Sequence, residues 1–368
     1  MNKSSTAGAI SFNNEDSHYQ EFARTLNKRV NEYFKEKGIS KFGNFTMYIK
    51  TLSMFMIYTG PFIYLIAMEP QGWSALVALV IMGLGYSGIG LSVMHDAVHG
   101  AYSSTPWINK ALGYSLNLLG GNALNWRIQH NVLHHTYTNI EEHDEDIAPK
   151  AILRFSPQAP LWSIHKYQHI YVWLFYALGT FFWVTFKDFT KIRIYHREGM
   201  LEKHSKSVAI EYTILILSKI IYYTYIIGLP VYLTEYTGGQ IFFGFLLMHL
   251  VAGTALAMIF QPAHLMEEVE YPAPSINGKM KYSWLVHQLY TTTNFATENR
   301  LLSWYAGGLN FQIEHHLFPH ICHVHYRGIS KIVRNTANEY GMPYFNRSSF
   351  KATLWDHTKM MQKLGRVA

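Results

Sequence analysis

The stretch SALVALVIMGLGYSGIGLSVMHDAVH, residues 74–99, joins a long apolar run to two histidines. Its first 21 residues, 74–94, contain no charged side chain, and this is about the length that an α-helix needs to cross a bilayer. His95 and His99 follow at a spacing of one helical turn, so both imidazoles can face one metal ion. Taken alone, the pair could equally bond to Asp96 or reach toward the membrane interface.

The bulk composition favours a membrane protein. Of 368 residues, 49% are hydrophobic and 15% are charged, against about a quarter charged in soluble proteins. The single cysteine, Cys322, excludes an intrachain disulfide framework and a four-cysteine iron–sulfur or zinc site. The net charge of +7 comes from Lys and Arg that flank apolar blocks, which indicates lipid headgroups or an acidic partner rather than nucleic acid.

Four apolar stretches are predicted to cross the membrane as two hairpins, namely 49–68, 74–94, 208–233 and 241–261. The connections 69–73 and 234–240 contain no Lys or Arg, so the positive-inside rule places them on the outer side. Both termini and the histidine-bearing ends of the spans should then be cytoplasmic.

A fifth apolar stretch, 170–186, is predicted to lie flat against the cytoplasmic leaflet. If it crossed the membrane, His264 would be on the opposite side from His130. Its basic flanks, which include Lys166 and Lys187, also suit an interfacial helix.

These patterns predict an all-α integral membrane protein with four transmembrane helices in two hairpins, a cytoplasmic histidine-rich cap and interfacial helices. The predicted regions are a cytoplasmic N-terminal arm (1–48), a membrane domain (49–330) and a cytoplasmic C-terminal tail (331–368). Within the arm, Phe22, Leu26, Val30 and Phe34 recur every four residues, which predicts an amphipathic surface helix.

A second histidine cluster, HNVLHH at 130–135, is more specific than the first. On an α-helix, His130 and His134 lie one turn apart, and His135 lies about a hundred degrees round the axis. The pair can therefore share one metal while His135 reaches a second.

A third cluster, QIEHH at 312–316, offers His315 and His316, with Gln312 on the same helical face. His264 stands alone at the predicted cytoplasmic end of the fourth span. A lone histidine there is usually interfacial, but its shared side and depth with the three clusters make it a candidate ligand.

The candidate metal ligands are therefore His95, His99, His130, His134, His135, His264, His315 and His316. Imidazole suits zinc, copper, iron and nickel, so these residues alone do not choose the metal. Eight neutral imidazoles give about four ligands per metal in a two-metal site. Residues that could orient these ligands are Gln312, His287, Asp96 and Asp146. No separate general acid or base is assigned.

HDAVH, HNVLHH and QIEHH, in this order between two hydrophobic hairpins, resemble the three histidine boxes of the membrane fatty-acid desaturase family. The third box with Gln312, in NFQIEHHLFP, and the segment WLVHQLYTTTNF are similar to bacterial relatives of the front-end (Δ5/Δ6-type) branch. The resemblance covers residues 50–330. The HPGG motif of a fused cytochrome b5 domain does not occur in the sequence.

The resemblance implies two iron ions held by the eight histidines, O2 as co-substrate, and a cis double bond introduced into a long acyl chain. Electrons would come from an external donor, a ferredoxin or a cytochrome b5-like protein, that docks on the cytoplasmic face. The acyl carrier stays open among acyl-CoA, acyl-carrier protein and lipid, as does the position of the double bond.

Three other functions stay open on these residues, and a membrane zinc-binding or transport protein comes last among them. A fatty-acyl hydroxylase or related di-iron oxygenase could use the same scaffold, because hydroxylation and desaturation share a first hydrogen abstraction. A haem-binding membrane electron carrier is more remote, because its histidines would pair across helices deep in the bilayer rather than lie adjacent at its edge.

Overall fold

A computed structural model of the protein describes residues 10–148 and 152–366, and most of them are helical. The α-helices are, in chain order, α1 (Ser17–Lys37), α2 (Phe45–Met68), α3 (Trp73–Gly88), α4 (His95–Val98), α5 (Pro106–Gly113), α6 (Ser115–Leu118), α7 (Ala123–Arg127), α8 (His135–Tyr137), α9 (Gln168–Phe182), α10 (Asp188–Arg197), α11 (Met200–His204), α12 (Val208–Tyr223), α13 (Leu229–Leu233), α14 (Gly238–Phe260), α15 (Trp284–Thr291), α16 (Arg300–Tyr305), α17 (Gln312–Leu317), α18 (Tyr326–Glu339) and α19 (Phe350–Leu364). Two short parallel strands pair with each other, β1 (Asn294–Phe295) and β2 (Asn346–Arg347). The predicted all-α class is confirmed.

Turns of other helical types join several of these helices end to end. The π-helical turns are Ile89–Met94, Ile128–His134, Trp183–Lys187 and Thr224–Gly228, and the 3-10 turns are Ser163–Tyr167, Gln261–Ala263 and His323–His325. Within the described ranges, five continuous helices are long and apolar enough to cross a membrane: Phe45–Met68, Trp73–Val98, Ser163–Arg197, Val208–Leu233 and Gly238–Ala263.

Four of these helices form two helical hairpins. The first hairpin is formed by Phe45–Met68 and Trp73–Val98, and the second by Val208–Leu233 and Gly238–Ala263. Their closed ends touch, because the Glu235 backbone N–H donates to Glu69 Oε2 at 2.8 Å and the Tyr236 hydroxyl donates to the Pro70 carbonyl at 2.7 Å. The open ends of both hairpins therefore face the other way, and the histidine clusters lie there.

The fifth long helix, Ser163–Arg197, contains the predicted interfacial stretch 170–186. Its middle packs on the last helix of the second hairpin, where the Thr180 hydroxyl donates to the His249 carbonyl at 2.8 Å. Both of its ends contact the open end of the bundle. Near its start, Gln168 Nε2 donates to the Met361 carbonyl at 2.8 Å, and near its end, Lys191 Nζ lies 2.6 Å from Glu145 Oε1.

The terminal segments pack on each other beside the open end of the bundle. The predicted amphipathic helix is confirmed as α1, which buries its four predicted apolar residues. The Asp16 side chain caps its first turn, and Gly38 ends it with a left-handed φ of 59°. Its buried face shares one core with α18, and that helix continues through the predicted boundary at 330/331 because Ile329 and Val333 are both buried there.

Close helix packing at Gly253 gives a test of the fold. A Cβ at Gly253 would lie 2.3 Å from the Ala177 carbonyl oxygen of the neighbouring helix, whereas a Cβ at Gly60 would meet nothing within 4 Å. Small residues allow such close helix contacts in membranes. We expect Gly253→Ala to destabilise the protein by about 1–3 kcal/mol. The measurement is the thermal unfolding temperature in detergent.

The matched control is Gly60→Ala, which makes the same helix-favouring change without a clash. Its unfolding temperature should stay at the wild-type value or rise slightly. Equal unfolding temperatures for the two variants would contradict the close packing of Ser163–Arg197 on the second hairpin.

Candidate metal centre

The eight histidines predicted as ligands lie together at the open ends of the two hairpins. Seven of them are buried, and His99 is partly buried. Burying so many imidazoles is costly unless their polar nitrogens find partners. The arrangement of those nitrogens therefore indicates what the site holds.

Helix type decides which histidines of the second cluster face each other. The segment Ile128–His134 is π-helical, and a π-helix brings residues five apart onto one face. Consequently His130 Nε2 lies 3.2 Å from His135 Nε2. The α-helical spacing expected from the sequence pairs His130 with His134, whose ligand atoms do lie within 4.8 Å of each other and of Asp146. The π-helical turn adds the contact between His130 and His135.

The first group of nitrogens comes from His95, His99, His130 and His315, and their ligand atoms all lie within 4.8 Å of one another. His95 Nε2 and His130 Nε2 are 3.1 Å apart. Two ligands of one metal ion, each about 2.1 Å from it, are typically about 3 Å apart. The spacing therefore fits imidazoles that surround a single cation.

Hydrogen bonds between the imidazoles cannot account for this packing. His130 Nε2 has two such neighbours, His95 Nε2 at 3.1 Å and His135 Nε2 at 3.2 Å. One ring nitrogen carries either one proton or one lone pair, so it cannot bond to both neighbours at once. A cation bound by the first group would satisfy the His95 and His130 nitrogens without a shared proton.

The second group consists of His134, His264 and His316, whose ligand atoms also lie within 4.8 Å of one another. The Nε2 atom of each is buried and has no hydrogen-bond partner among the described residues. His135 lies between the two groups, because its ligand atom also clusters with those of His315 and His316. The geometry therefore places side by side two groups of imidazoles that could each hold a metal ion.

The other ring nitrogen of His264 and of His316 faces an oxygen atom. His264 Nδ1 lies 3.2 Å from the Thr291 carbonyl, and His316 Nδ1 lies 2.8 Å from Gln288 Oε1. A proton on each Nδ1 leaves the lone pair on Nε2, directed into the group. Such partners are typical of histidines that bind metals.

A carboxylate supports His134 in the same way. His134 Nδ1 lies 3.0 Å from Asp144 Oδ2 and 3.4 Å from Asp146 Oδ2. Burial by itself lowers the pKa of His134, but the two carboxylates outweigh it and raise that pKa above its usual value. Asp146, proposed from the sequence, is thus close to His134, and Asp144 is closer still.

The other candidate ligand histidines outside the membrane-spanning helices favour the neutral form, which is the form that binds metals. Burial is the main cause that lowers their pKa values, and neighbouring imidazoles lower them further. This holds for His99, His130, His135, His264, His315 and His316.

Asp96 and His287 were also proposed to orient ligands, and each makes its short contact with a group other than the candidate ligands. The Asp96 carboxylate accepts from His323 Nδ1 at 2.8 Å, and His323 Nε2 lies 2.6 Å from the buried Lys50 Nζ. Asp96 is farther from His95, with 4.0 Å between Asp96 Oδ1 and His95 Nδ1. His287 Nε2 lies 2.7 Å from the Thr138 carbonyl, so its contact is with the backbone.

Gln312 is fully buried, and neither polar atom of its side chain has a hydrogen-bond partner among the described residues. A buried amide without partners is rare in proteins and points to a missing metal, water or ligand. Its role stays a prediction.

Sequence reasoning missed three partners of the histidines. Gln288 and the Thr291 carbonyl belong to the segment of α15, and the Tyr326 hydroxyl lies 3.3 Å from His315 Nδ1. Each contact joins residues that lie 11 to 28 positions apart in sequence and that the fold brings together. No local pattern marks them.

A cavity of about 440 Å³ leads from the first group of histidines into the bundle. His95, His130 and Trp126 line one end, and the Trp126 ring stacks on His130 with 4.3 Å between centroids. Tyr86 and Thr180 also line the cavity, from two of the long helices. The walls between are mainly apolar, as an alkyl chain requires.

Known proteins share this sequence pattern. A family model described as fatty acid desaturase matches residues 71–348. The chain is 31% identical over 350 residues to a protein named sn-1 linoleoyl-lipid 6-desaturase from Synechocystis, a match that covers 94% of this chain and 96% of that protein. It is 32% identical over 354 residues to an acyl-lipid (8-3)-desaturase from Physcomitrium patens, covering 95% of this chain and 73% of that protein.

The family match extends over most of the chain and includes all eight histidines. The cavity that begins at His95 and His130 is consistent with it. The chain belongs to the fatty acid desaturase family of oxidoreductases.

Proposed function

We propose that this protein is a membrane acyl-lipid desaturase that introduces a cis double bond into a long acyl chain at a di-iron centre. The observation that carries this proposal is the pair of adjacent imidazole groups, the first of which contributes His95 and His130 to the lining of a mainly apolar cavity. The sequence-based assignment of eight histidine ligands is retained, with both irons bound through neutral nitrogens.

The donor set fits two metal ions. One iron would be held by His95, His99, His130 and His315, and the other by His134, His264 and His316, with His135 between them. Bound iron and O2 would supply the oxidising power to remove hydrogen from an unactivated methylene, which no amino-acid side chain provides.

The chain's own residues would position the substrate and keep water away. The apolar walls of the cavity enclose the alkyl chain and favour its transfer from the bilayer. Trp126 forms a flat wall against His130, so a methylene that passes it would lie next to the first group. Asp144 and Gln288 would hold the imidazoles of the second group in place.

The acyl carrier is proposed to be a membrane lipid. The related proteins from Synechocystis and Physcomitrium patens are named for lipid-linked acyl substrates. Acyl-CoA and acyl-carrier protein are the alternatives. A lipid substrate suits a cavity that lies between membrane helices.

Four spans are proposed, with Ser163–Arg197 lying at the cytoplasmic side. His134 and His264 have ring centroids 4.6 Å apart, so both belong on one face of the membrane. Three long helices separate them in sequence, and three crossings would put them on opposite faces. The contacts of both ends of Ser163–Arg197 with the open end of the bundle support its non-crossing position. Both termini would then be cytoplasmic.

An external ferredoxin or cytochrome b5-like protein is proposed to deliver electrons at the cytoplasmic face. The net charge of +7 would favour an acidic donor through long-range attraction.

Product analysis tests the proposed reaction. Expression in a host of known lipid composition should give a new unsaturated acyl species. His134→Ala should abolish it, because the second group would lose a ligand, whereas exposed His196→Ala should not. Mass spectrometry of the acyl chains is the measurement. A hydroxylated product would instead identify a hydroxylase.

Metal content tests the two-metal assignment. Purified protein should contain about two irons per chain, since the two groups offer two positions. His264→Ala leaves the second group with two of its three imidazoles, so iron should fall to about one per chain. Elemental analysis is the measurement, with His196→Ala as the control. Equal iron in both variants would contradict the assignment, as would a haem absorption band.

The role of Asp144 can be tested separately from ligation. Asp144→Asn keeps the shape but removes the charge opposite His134. We expect iron to be lost to a chelator at about 10–100-fold lower chelator concentration, the usual effect of losing a ligand's partner. Glu267→Gln, at an exposed carboxylate paired with Lys363, is the control. Unchanged iron retention in Asp144→Asn would argue against this role.

A further inference from the structure

A second cavity, of about 750 Å³, lies between the two hairpins at their closed ends, and we call it the closed-end cavity. It shares no lining residue with the cavity beside the histidines. All the polar side chains in its lining belong to the connections that close the hairpins, and they are Gln71, Thr234, Tyr236, Thr237 and Gln240. The other lining residues are apolar or glycine, and most of them lie on the long helices. The cavity is therefore polar beside the connections and apolar between the helices.

Helix packing leaves this space open only near the connections. Farther from them, the hairpins are in close contact at Gly83, where a Cβ would lie 2.7 Å from the Met248 carbonyl oxygen. Nearer the connections, Leu79 and Gly244 face each other across the closed-end cavity without filling it. Empty apolar space forfeits the dispersion contacts of its walls. The volume lies in the range of about 300–1,000 Å³ that ligand pockets have, and the apolar material that a bilayer supplies is an acyl chain.

Exposed aromatic side chains place the connections at the level of lipid headgroups. Trp73 on the first hairpin is 82% exposed, and Tyr232 on the second is 85% exposed. Tryptophan and tyrosine are enriched at the boundary between the hydrocarbon and the headgroups of a bilayer. A lipid whose acyl chain enters the cavity would therefore have its headgroup beside the connections.

The connections carry negative charge only. Between residues 51 and 94 the single charged side chain is that of Glu69, and between residues 220 and 263 it is that of Glu235. Because the Glu235 backbone N–H donates to Glu69 Oε2 at 2.8 Å, the two residues lie side by side. Neither carboxylate pairs with a Lys or Arg within the part of the chain that the structure describes. Their charge is thus available to a ligand.

The amide side chains of the connections are already bonded to their neighbours. Gln240 Nε2 donates to Gln71 Oε1 at 3.2 Å, and Gln240 Oε1 accepts from the Thr237 backbone N–H at 2.8 Å. Gln71 Nε2 in turn donates to the Glu69 carbonyl at 3.3 Å. What the connections offer to a ligand is therefore carboxylate oxygen, which accepts hydrogen bonds and attracts cations.

We infer that the closed-end cavity binds one phospholipid whose headgroup carries a primary ammonium, as that of phosphatidylethanolamine does. An acyl chain of this lipid lies between the hairpins, and its ammonium group contacts Glu69 and Glu235. An anionic phospholipid binds less tightly, because its net negative charge lies next to two carboxylates. The bound lipid links the two hairpins at the end opposite the histidines. This site is additional to the proposed reaction and does not depend on it.

Two changes test the cavity and the charge separately. Gly244→Phe fills the cavity from its own lining, and a Cβ at Gly244 makes only ordinary contact with Leu79, at 3.4 Å. The double variant Glu69→Gln, Glu235→Gln removes both charges and keeps the shape of the side chains.

Each change has a matched control. Gly60→Phe adds the same side chain outside both cavities, where a Cβ meets nothing within 4 Å. Glu267→Gln removes an exposed carboxylate that pairs with Lys363, away from the connections.

Native mass spectrometry of the full-length protein in detergent measures lipid binding. Protein freed of copurified lipid is titrated with phosphatidylethanolamine or phosphatidylglycerol, both with two oleoyl chains. Wild type and the controls should bind one phosphatidylethanolamine per chain that Gly244→Phe does not bind. This difference separates the closed-end cavity from the cavity beside the histidines, which Gly244→Phe leaves intact.

The headgroup preference should follow the charge. Wild type should bind phosphatidylethanolamine about fivefold more tightly than phosphatidylglycerol, which is the upper effect of one exposed ion pair. The double glutamine variant should bind the two lipids equally. If Gly244→Phe does not fold, this loss of preference decides the matter.

Equal lipid counts in wild type and Gly244→Phe would overturn the inference, because the lipid would then be adventitious on the apolar surface. A preference of wild type for phosphatidylglycerol would also overturn it, as would a preference for phosphatidylethanolamine that persists in the double glutamine variant. None of these results bears on the proposed function, which fails if wild type forms no double bond.

Discussion

The close approach of buried imidazole nitrogens is the constraint on which this structure depends. His130 Nε2 faces two other ring nitrogens at 3.1 and 3.2 Å, a contact that proton sharing cannot satisfy. Without a cation, the site would leave several polar atoms desolvated and unpaired, each at a cost of about 1–3 kcal/mol. Metal binding and folding of this end of the bundle should therefore be coupled.

Several segments that are distant in sequence take part in this coupling, because each supplies a hydrogen-bond partner to one of the histidines. The loop after the second cluster supplies Asp144, α15 supplies Gln288, and α18 supplies the Tyr326 hydroxyl. Since α18 shares a core with α1, the N-terminal arm is also tied to the site. The two hairpins position the ligands, and these outer segments fix their orientation.

The features predictable from sequence are those with a local pattern. The length of the apolar stretches predicted the long helices of the two hairpins, and the four-residue periodicity predicted α1. The spacing of the histidines predicted the candidate ligands. The pairing of His130 with His135 was not predictable, because it depends on a π-helical turn that α-helical periodicity does not reveal. Gln288 was missed for another reason: its contact with His316 spans 28 residues and leaves no periodic trace.

Polar residues deep in the bundle follow the same rule as the metal site. A histidine within a membrane-spanning helix is expensive unless every polar atom is satisfied. His249 meets this requirement through Thr180 and Tyr222, which belong to two other long helices. The imidazoles of the candidate metal centre lack such complete pairing among the described residues. The same type of side chain is therefore a stable part of the bundle where its nitrogens are paired, and can bind metal where they are not.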